Sequence, residues 1–256
     1  MATIPKKVTT RFGKELGKFQ KVLQSAKDRD VNESDTVAII QDILSEVFGF
    51  DKYAEVTSEF AIRGTYCDLA IKVDDKIEYL IEAKAIGLSL KEAHLRQATQ
   101  YGATEGIPWV VLTNGISWEL YRIKFEKPVV ADMVCSFDFL EMSSRAAEDQ
   151  EKLFLLCREG LSKAVMDEYH EKCQTVNRYT IGAIVASDPI VSAIRRELRK
   201  LTPGLKVEPA EIEKILCTEM FKREVLEGDS AAKAKAKLKK AAHKAAKKQH
   251  KINDTE

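Results

Sequence analysis

Apolar residues recur along this chain with two periods, and the switches between them outline the elements. Between Val8 and Asp30, Phe12, Leu16, Phe19 and Leu23 fall four, three and four apart, which puts them on one face of a lysine-rich helix docked on the body. Thr36 to Phe48 reads as a second helix, ended by Gly49. The period then drops to two. Tyr53 to Ile62, Cys67 to Val73 and Ile77 to Ala83 read as strands, the last two joined by Asp74-Asp75-Lys76 as a three-residue hairpin loop. Leu90 to Tyr101 carries no breaker and reads as a helix ending near Gly102. Pro108 to Leu112 is a short buried strand, and Asn114-Gly115 is a turn into a strand from Ile116 to Ile123. The order is helix, three-strand antiparallel meander, helix, strand, and it predicts a three-layer α/β core over residues 32–142, preceded by the helical segment 1–31.

From Ser143 the helical period returns, with Leu153, Leu156, Leu161 and Val165 at helical spacing and three helices expected before Gly228. Asp188-Pro189 starts one, Thr202-Pro203-Gly204 stops it, and Glu208-Pro209 opens the next. Residues 143–228 therefore read as a helical region for dimerisation or for docking a partner or DNA. Within it Arg195, Arg196, Arg199 and Lys200 form a basic stripe, either a phosphate contact or a solvated helix face. The segment 229–256 is an Ala/Lys-rich basic tail without a hydrophobic stripe, disordered or a frayed helix.

Charge changes the picture more than composition does. The chain of 256 residues is 45% hydrophobic, enough for a sizeable core. Its net charge of +1 conceals an uneven distribution: residues 232–256 hold nine lysines against Asp254 and Glu256, +7, which leaves −6 for the rest. The tail is expected either to attract nucleic acid in a salt-sensitive, sequence-independent way or to act as a solubilising tail. No apolar run reaches membrane-spanning length, and Met1 to Lys7 carries no signal-like apolar region. Cys67, Cys135, Cys157, Cys173 and Cys217 are odd in number and lack Cys-x-x-Cys, which argues against zinc and a disulfide framework and for a reducing cytoplasm.

The chemistry concentrates in Glu82-Ala83-Lys84, where two charges follow the apolar run Tyr79-Leu80-Ile81. A lone buried ion costs several kcal/mol unless paired or bound to a metal. A three-residue loop pairing Val73 with Ile77 sets Asp68 opposite Glu82, with Lys84 on the same face and Leu69, Ile71, Ile81 and Ala83 on the other. Two facing carboxylates offer Mg²⁺ the oxygen ligands it prefers, and a lysine beside them orients water or stabilises a pentavalent phosphate. That is phosphodiester hydrolysis. The plainer alternative is a structural ion pair between Asp68 and Lys84. In the following helix Gln97 and Tyr101 share a face with His94 and Leu90, either aimed at a bound phosphate or serving as surface and packing.

Motif by motif, Asp68, then Glu82-Ala83-Lys84, then Gln97 to Tyr101 resemble the nuclease domain at the N terminus of type I restriction-enzyme motor subunits. That family lies within the PD-(D/E)xK superfamily, and its Gln-x-x-x-Tyr is shared with RecB-like nucleases. Thr113-Asn114-Gly115 before Trp118 and Asn32-Glu33 at a helix start extend the likeness over about residues 32–125. The resemblance implies a restriction-endonuclease-like core that cuts DNA with Mg²⁺, Mn²⁺ substituting. Asp68, Glu82 and Ala83 are placed about the ion, Lys84 is catalytic, Gln97 and Tyr101 position water or backbone, and Glu33 is a further acid with Glu46 competing for that role. It also implies restriction or phage defence, with a homodimer or a defence-system protein as partner. No Gly-x-x-x-x-Gly-Lys-Ser/Thr occurs in these residues, so no ATP-cradling loop accompanies the domain. Two other readings stay open: a catalytically weak nucleic-acid-binding scaffold, and a nuclease for RNA or branched DNA.

Overall fold

The computed structural model describes residues 3–62 and 65–253, with side chains in the C-terminal helix described to residue 243. Contacts divide the chain into two compact units, Met1–Glu171 and Lys172–Glu256. In the first, helical periodicity gives α1 (Lys6–Asp28) and α2 (Glu33–Glu46). The apolar stripe of α1, Val8, Phe12, Leu16, Phe19 and Leu23, is buried throughout. In α2 the helix starts where Asn32 accepts a hydrogen bond from Asp35 N, and it buries Thr36, Ile40, Ile43 and Leu44.

Six strands form a single sheet in sequence order: β1 (Val56–Ile62), β2 (Thr65–Val73), β3 (Lys76–Ala83), β4 (Trp109–Thr113), β5 (Ser117–Lys124) and β6 (Val130–Asp138). All neighbours are antiparallel except β3 and β4, which run parallel because α3 (Glu92–Glu105) carries the chain back between them. One face of the sheet contributes Leu69, Ile71, Tyr79, Ile81, Ala83, Val111 and Trp118 to a large core with α1 and α2. The other face meets α3: Cys67, Ala70 and Leu80 pack with Tyr101 and Ile107, while Val110 and Ile123 pack with Ala98. This is the expected three-layer α/β arrangement, with a sheet larger than its sequence pattern showed.

The hairpin differs instructively from expectation. Its turn is the two residues Asp74 and Asp75, with φ of 49° and 62°, and Val73 pairs with Lys76. Both φ values suit the tight two-residue hairpin turn that matches strand twist. A bulge then inserts Glu78, so that Lys72 pairs Ile77 but Ile71 pairs Tyr79. The one-residue difference at the turn is cancelled, and Leu69 faces Ile81 as the longer loop would have required.

Other boundaries moved for local reasons. Asp51 caps Tyr53 N and Ala54 N, so residues 51–54 turn and the strand begins at Val56 instead of Tyr53. Helix α3 continues through Gly102 and stops at Gly106, whose φ is 71°. Gly102 serves close packing: a Cβ there would lie 2.9 Å from Ile107 O. Strand β6 was not foreseen. The core also extends past 142, because α4 (Ala147–Leu155), α5 (Arg158–Leu161) and the start of α6 (Val165–Thr175), with the turn between the first two, bury Leu153, Phe154, Leu156, Val165 and Met166 in the same cluster as the sheet.

In the second unit, α7 (Arg178–Val185), α8 (Asp188–Leu201), α9 (Pro209–Ile215), α10 (Arg223–Leu226) and α11 (Asp229–Asn253) follow one another, more and shorter helices than the pattern indicated. Val191, Ile212 and Leu216 form its small core. The tail is a helix, α11, and it has a seam after all: Ala231 and Ala234 are buried, Leu238 is half-buried, and the helix packs on α7. Alanine side chains are small enough to bring two helices close. The first two residues and the last three, including Asp254 and Glu256, lie outside the described residues.

Candidate active site

Glu82 lies on β3, a strand flanked by β2 on one side and β4 on the other, where it pairs in register with Leu112. Its side chain is 1% exposed. On β2, one residue beyond the Leu69–Ile81 pair, Asp68 comes to the same place and accepts a hydrogen bond of 2.7 Å from Ala83 N through Oδ2. Lys84 follows on the same strand face and donates to Glu82 Oε1 at 2.7 Å. Its main-chain N–H bonds to Thr113 O, which fixes the end of β3 against β4. Asp68, Glu82 and Lys84 are thus neighbours, as the alternation predicts.

Glu33, the first residue of α2, brings Oε2 to 3.7 Å from Lys84 Nζ. Glu46, at the other end of that helix, pairs instead with Lys18 of α1. The helix therefore presents Glu33 to the cluster and Glu46 elsewhere. Ala83 has its methyl in the main core and its N–H on Asp68, leaving its carbonyl as its one ligand-capable atom.

Gln97 and Tyr101 meet each other, with Gln97 Nε2 donating to the Tyr101 hydroxyl at 2.9 Å. Tyr101 is buried on the sheet face that carries Leu80, two residues before Glu82, whereas Gln97 is exposed one turn nearer the helix start. His94 serves the helix itself, its Nδ1 accepting from Lys91 N.

Burial dominates the electrostatics. It pushes the Glu82 carboxyl up to about 7 from an ordinary 4.5, with Lys84 opposing and Asp68 reinforcing the rise. Asp68 is also raised, first by burial and then by Glu33 and Glu59, against the pull of Ala83 N–H and Lys84. Lys84 is raised: burial acts to lower it, but the carboxylates around it outweigh that. The cluster is short of positive charge.

Three residues support the site: Thr36 and Glu59, which carry no signal in the motif, and Asn114 of the Thr-Asn-Gly turn. Thr36, fully buried in α2, donates to Asn32 O and accepts from Ile86 N at 3.1 Å, which ties the helix start bearing Glu33 to the segment after Lys84. Its sole sequence trace is a hydroxyl on the buried stripe Thr36, Ile40, Ile43. Asn114 donates to Ile86 O and Leu88 O and accepts from Ile116 N and Ser117 N, so the Thr-Asn-Gly turn holds the same segment from the other side. Glu59 lies across from Asp68 on β1 and adds negative charge.

Glu82 Oε2 is buried and has no hydrogen-bond partner. Such an orphan costs about 1–3 kcal/mol, more for a charged group, and a divalent cation would remove the deficit. The residues fit one. Among the described residues no group of three or more His, Cys, Asp or Glu side chains is poised to hold a metal. An ion here would take Asp68 and Glu82 and complete its shell with water and phosphate oxygens, the usual habit of Mg²⁺.

Residues 41–133 match the family model of the type I restriction enzyme R protein N terminus. That span covers Asp68, Glu82, Lys84, Gln97 and Tyr101 and begins after Glu33. No curated protein and no solved structure matches the chain.

Proposed function

We propose that this relative of the restriction-enzyme R protein N terminus is a Mg²⁺-dependent DNA endonuclease of the PD-(D/E)xK type, acting in restriction or phage defence. The observation that carries this reading is the buried Glu82 carboxylate, with one oxygen on Lys84 and the other without a partner, beside Asp68. A polar cluster so placed on a central strand is costly for stability alone.

Hydrolysis of a phosphodiester adds water oxygen to phosphorus, expels one ester oxygen and returns a proton to it. Mg²⁺, when bound at Asp68 and Glu82, supplies Lewis acidity and a more acidic water. The Lys84 ammonium stabilises negative charge that builds on the phosphate oxygens, and burial keeps water from screening it. Glu33 holds Lys84 from the α2 side. Gln97, exposed and fixed by Tyr101, offers its amide to the substrate backbone or the attacking water. Cytoplasmic action on DNA is part of the same proposal, and no described helix is long and apolar enough to cross a membrane.

The test is cleavage of supercoiled, linear, single-stranded and branched DNA, and of RNA, with Mg²⁺, Mn²⁺ or EDTA. Glu82→Ala and Lys84→Ala are each expected to lose at least about 10²-fold in rate, the scale on which removal of an electrostatic stabiliser is felt. Unchanged cutting by Glu82→Ala would falsify the site. The competing scaffold reading draws on the Lys84–Glu82 pair, which partly neutralises the cluster without an ion; binding without cleavage on every substrate selects it.

A further inference from the structure

Charge segregates between the two units. Residues 172–256 carry 19 Lys and Arg against 11 Asp and Glu, +8, which leaves −7 for residues 1–171 in a chain of +1. The unit that bears the candidate active site therefore repels a polyanion at long range, and the helical unit attracts one.

Within the helical unit the densest run of lysines is on α11. On α8 three of the four stripe residues sit beside carboxylates: Arg195 lies 3.9 Å from Glu208, while Arg196 at 3.6 Å and Lys200 at 2.9 Å share Glu197. On α11, Lys233, Lys237 and Lys240 follow at intervals of four and three and are exposed along one side. The sequence continues that interval through Lys244, Lys247 and Lys251. Beside the helix lies a cleft of about 310 Å³ lined by Gln174, Asn177, Thr180, Ser230, Lys233 and Lys237, with Cys173 at its wall and no carboxylate among its described lining residues. Lys237 reaches into it, donating to Gln174 O at 3.1 Å.

We infer that α11 and this cleft hold the phosphate backbone of duplex DNA, without reading its sequence. Duplex DNA, one negative charge per about 1.7 Å of axis, matches a line of lysines better than any isolated anion does. A lipid surface fits poorly. Membrane-surface helices insert bulky apolar side chains, whereas the apolar side of α11 presents alanines already buried against α7. The choice of DNA over other polyanions rests on the proposed cleavage function; the phosphate docking rests on the cleft and the lysines.

The experiment uses the full chain in EDTA, so that binding is measured without cleavage. A duplex of about 30 base pairs is expected to bind with steep salt dependence, each phosphate contact contributing about 0.9 to the log–log slope. Lys233→Gln/Lys237→Gln should weaken binding at least tenfold near 0.1 M salt and flatten the slope. Lys233→Gln/Lys240→Gln, which spares the Lys237 bond to Gln174, should do the same with an unchanged circular dichroism melt. Duplex should also slow maleimide modification of Cys173 at least fivefold and leave Cys217, the other exposed cysteine and one that does not line the cleft, unaffected. Unchanged slopes in both variants, unprotected Cys173, or tighter binding to RNA or to anionic phosphatidylserine vesicles than to the duplex would overturn the docking assignment. Loss of docking with metal-dependent cleavage intact removes this inference alone, while docking without cleavage removes only the nuclease reading.

Discussion

At the scale of single residues the protein turns on one carboxyl group. Glu82 is held almost fully out of water, and the folded state therefore binds its proton more tightly than the unfolded chain does. The sign follows. A carboxyl whose folded value is raised costs nothing at low pH, and stability falls as pH climbs from about 4.5 through about 7. In metal-free protein this loss approaches about 3 kcal/mol by pH 8. Glu82→Gln, which cannot ionise, should lack that decline; urea denaturation at pH 5 and pH 8 in EDTA compares the two. Parallel pH slopes in both proteins would show that Glu82 ionises as freely in the fold as in water.

Between elements, the site is assembled by four pieces. Strand β2 supplies Asp68, β3 and the residue after it supply Glu82 and Lys84, α2 supplies Glu33, and the turn between β4 and β5 supplies Asn114, the last two meeting at the segment following Lys84. Thr36 and Asn114 pair with the N–H and C=O of buried Ile86, which would otherwise lack partners, and Asn114 also holds Leu88 O. Thr36→Val keeps the volume but strands Ile86 N–H, and it should cost about 1–3 kcal/mol. Thr36→Ser should recover most of that in denaturant midpoints. A Val variant as stable as the parent would mean that the α2 start is held by packing alone.

For the whole molecule the relevant quantity is the separation of charge, +8 in residues 172–256 against −7 in residues 1–171. Salt screens long-range attraction far more than it screens a buried cluster. Raising salt from 50 to 200 mM should therefore raise the KM for duplex DNA steeply while leaving hydrolysis of a small diester such as bis(p-nitrophenyl) phosphate nearly constant. Equal losses on both substrates would locate the salt effect at the active site. The division also differs from the one the sequence suggested, because Leu153, Phe154 and Val165 complete the sheet's own core and carry the first unit on to Glu171.

Much of this was written in local pattern. The alternation along Ile77–Ala83 by itself put Glu82 and Lys84 on one face and Ile81 and Ala83 on the other, because side chains on a strand reverse at every residue, whereas Asp68 joins them only through the register between strands. Helical spacing likewise put Gln97 with Tyr101, and Leu16 with Phe19 in the core. Tertiary structure decided what depends on distant segments. The choice of Glu33 over Glu46 followed from which end of α2 meets β3, and Lys18 from another helix claims the loser. The role of Thr36 required a partner 50 residues away. The register at the site survived a misjudged turn because the bulge at Glu78 restored it, a compensation that hydrogen bonding across strands selects and composition does not reveal. The seam of α11 emerged because alanine gains burial only when another helix approaches closely, and no count along one segment contains its neighbour.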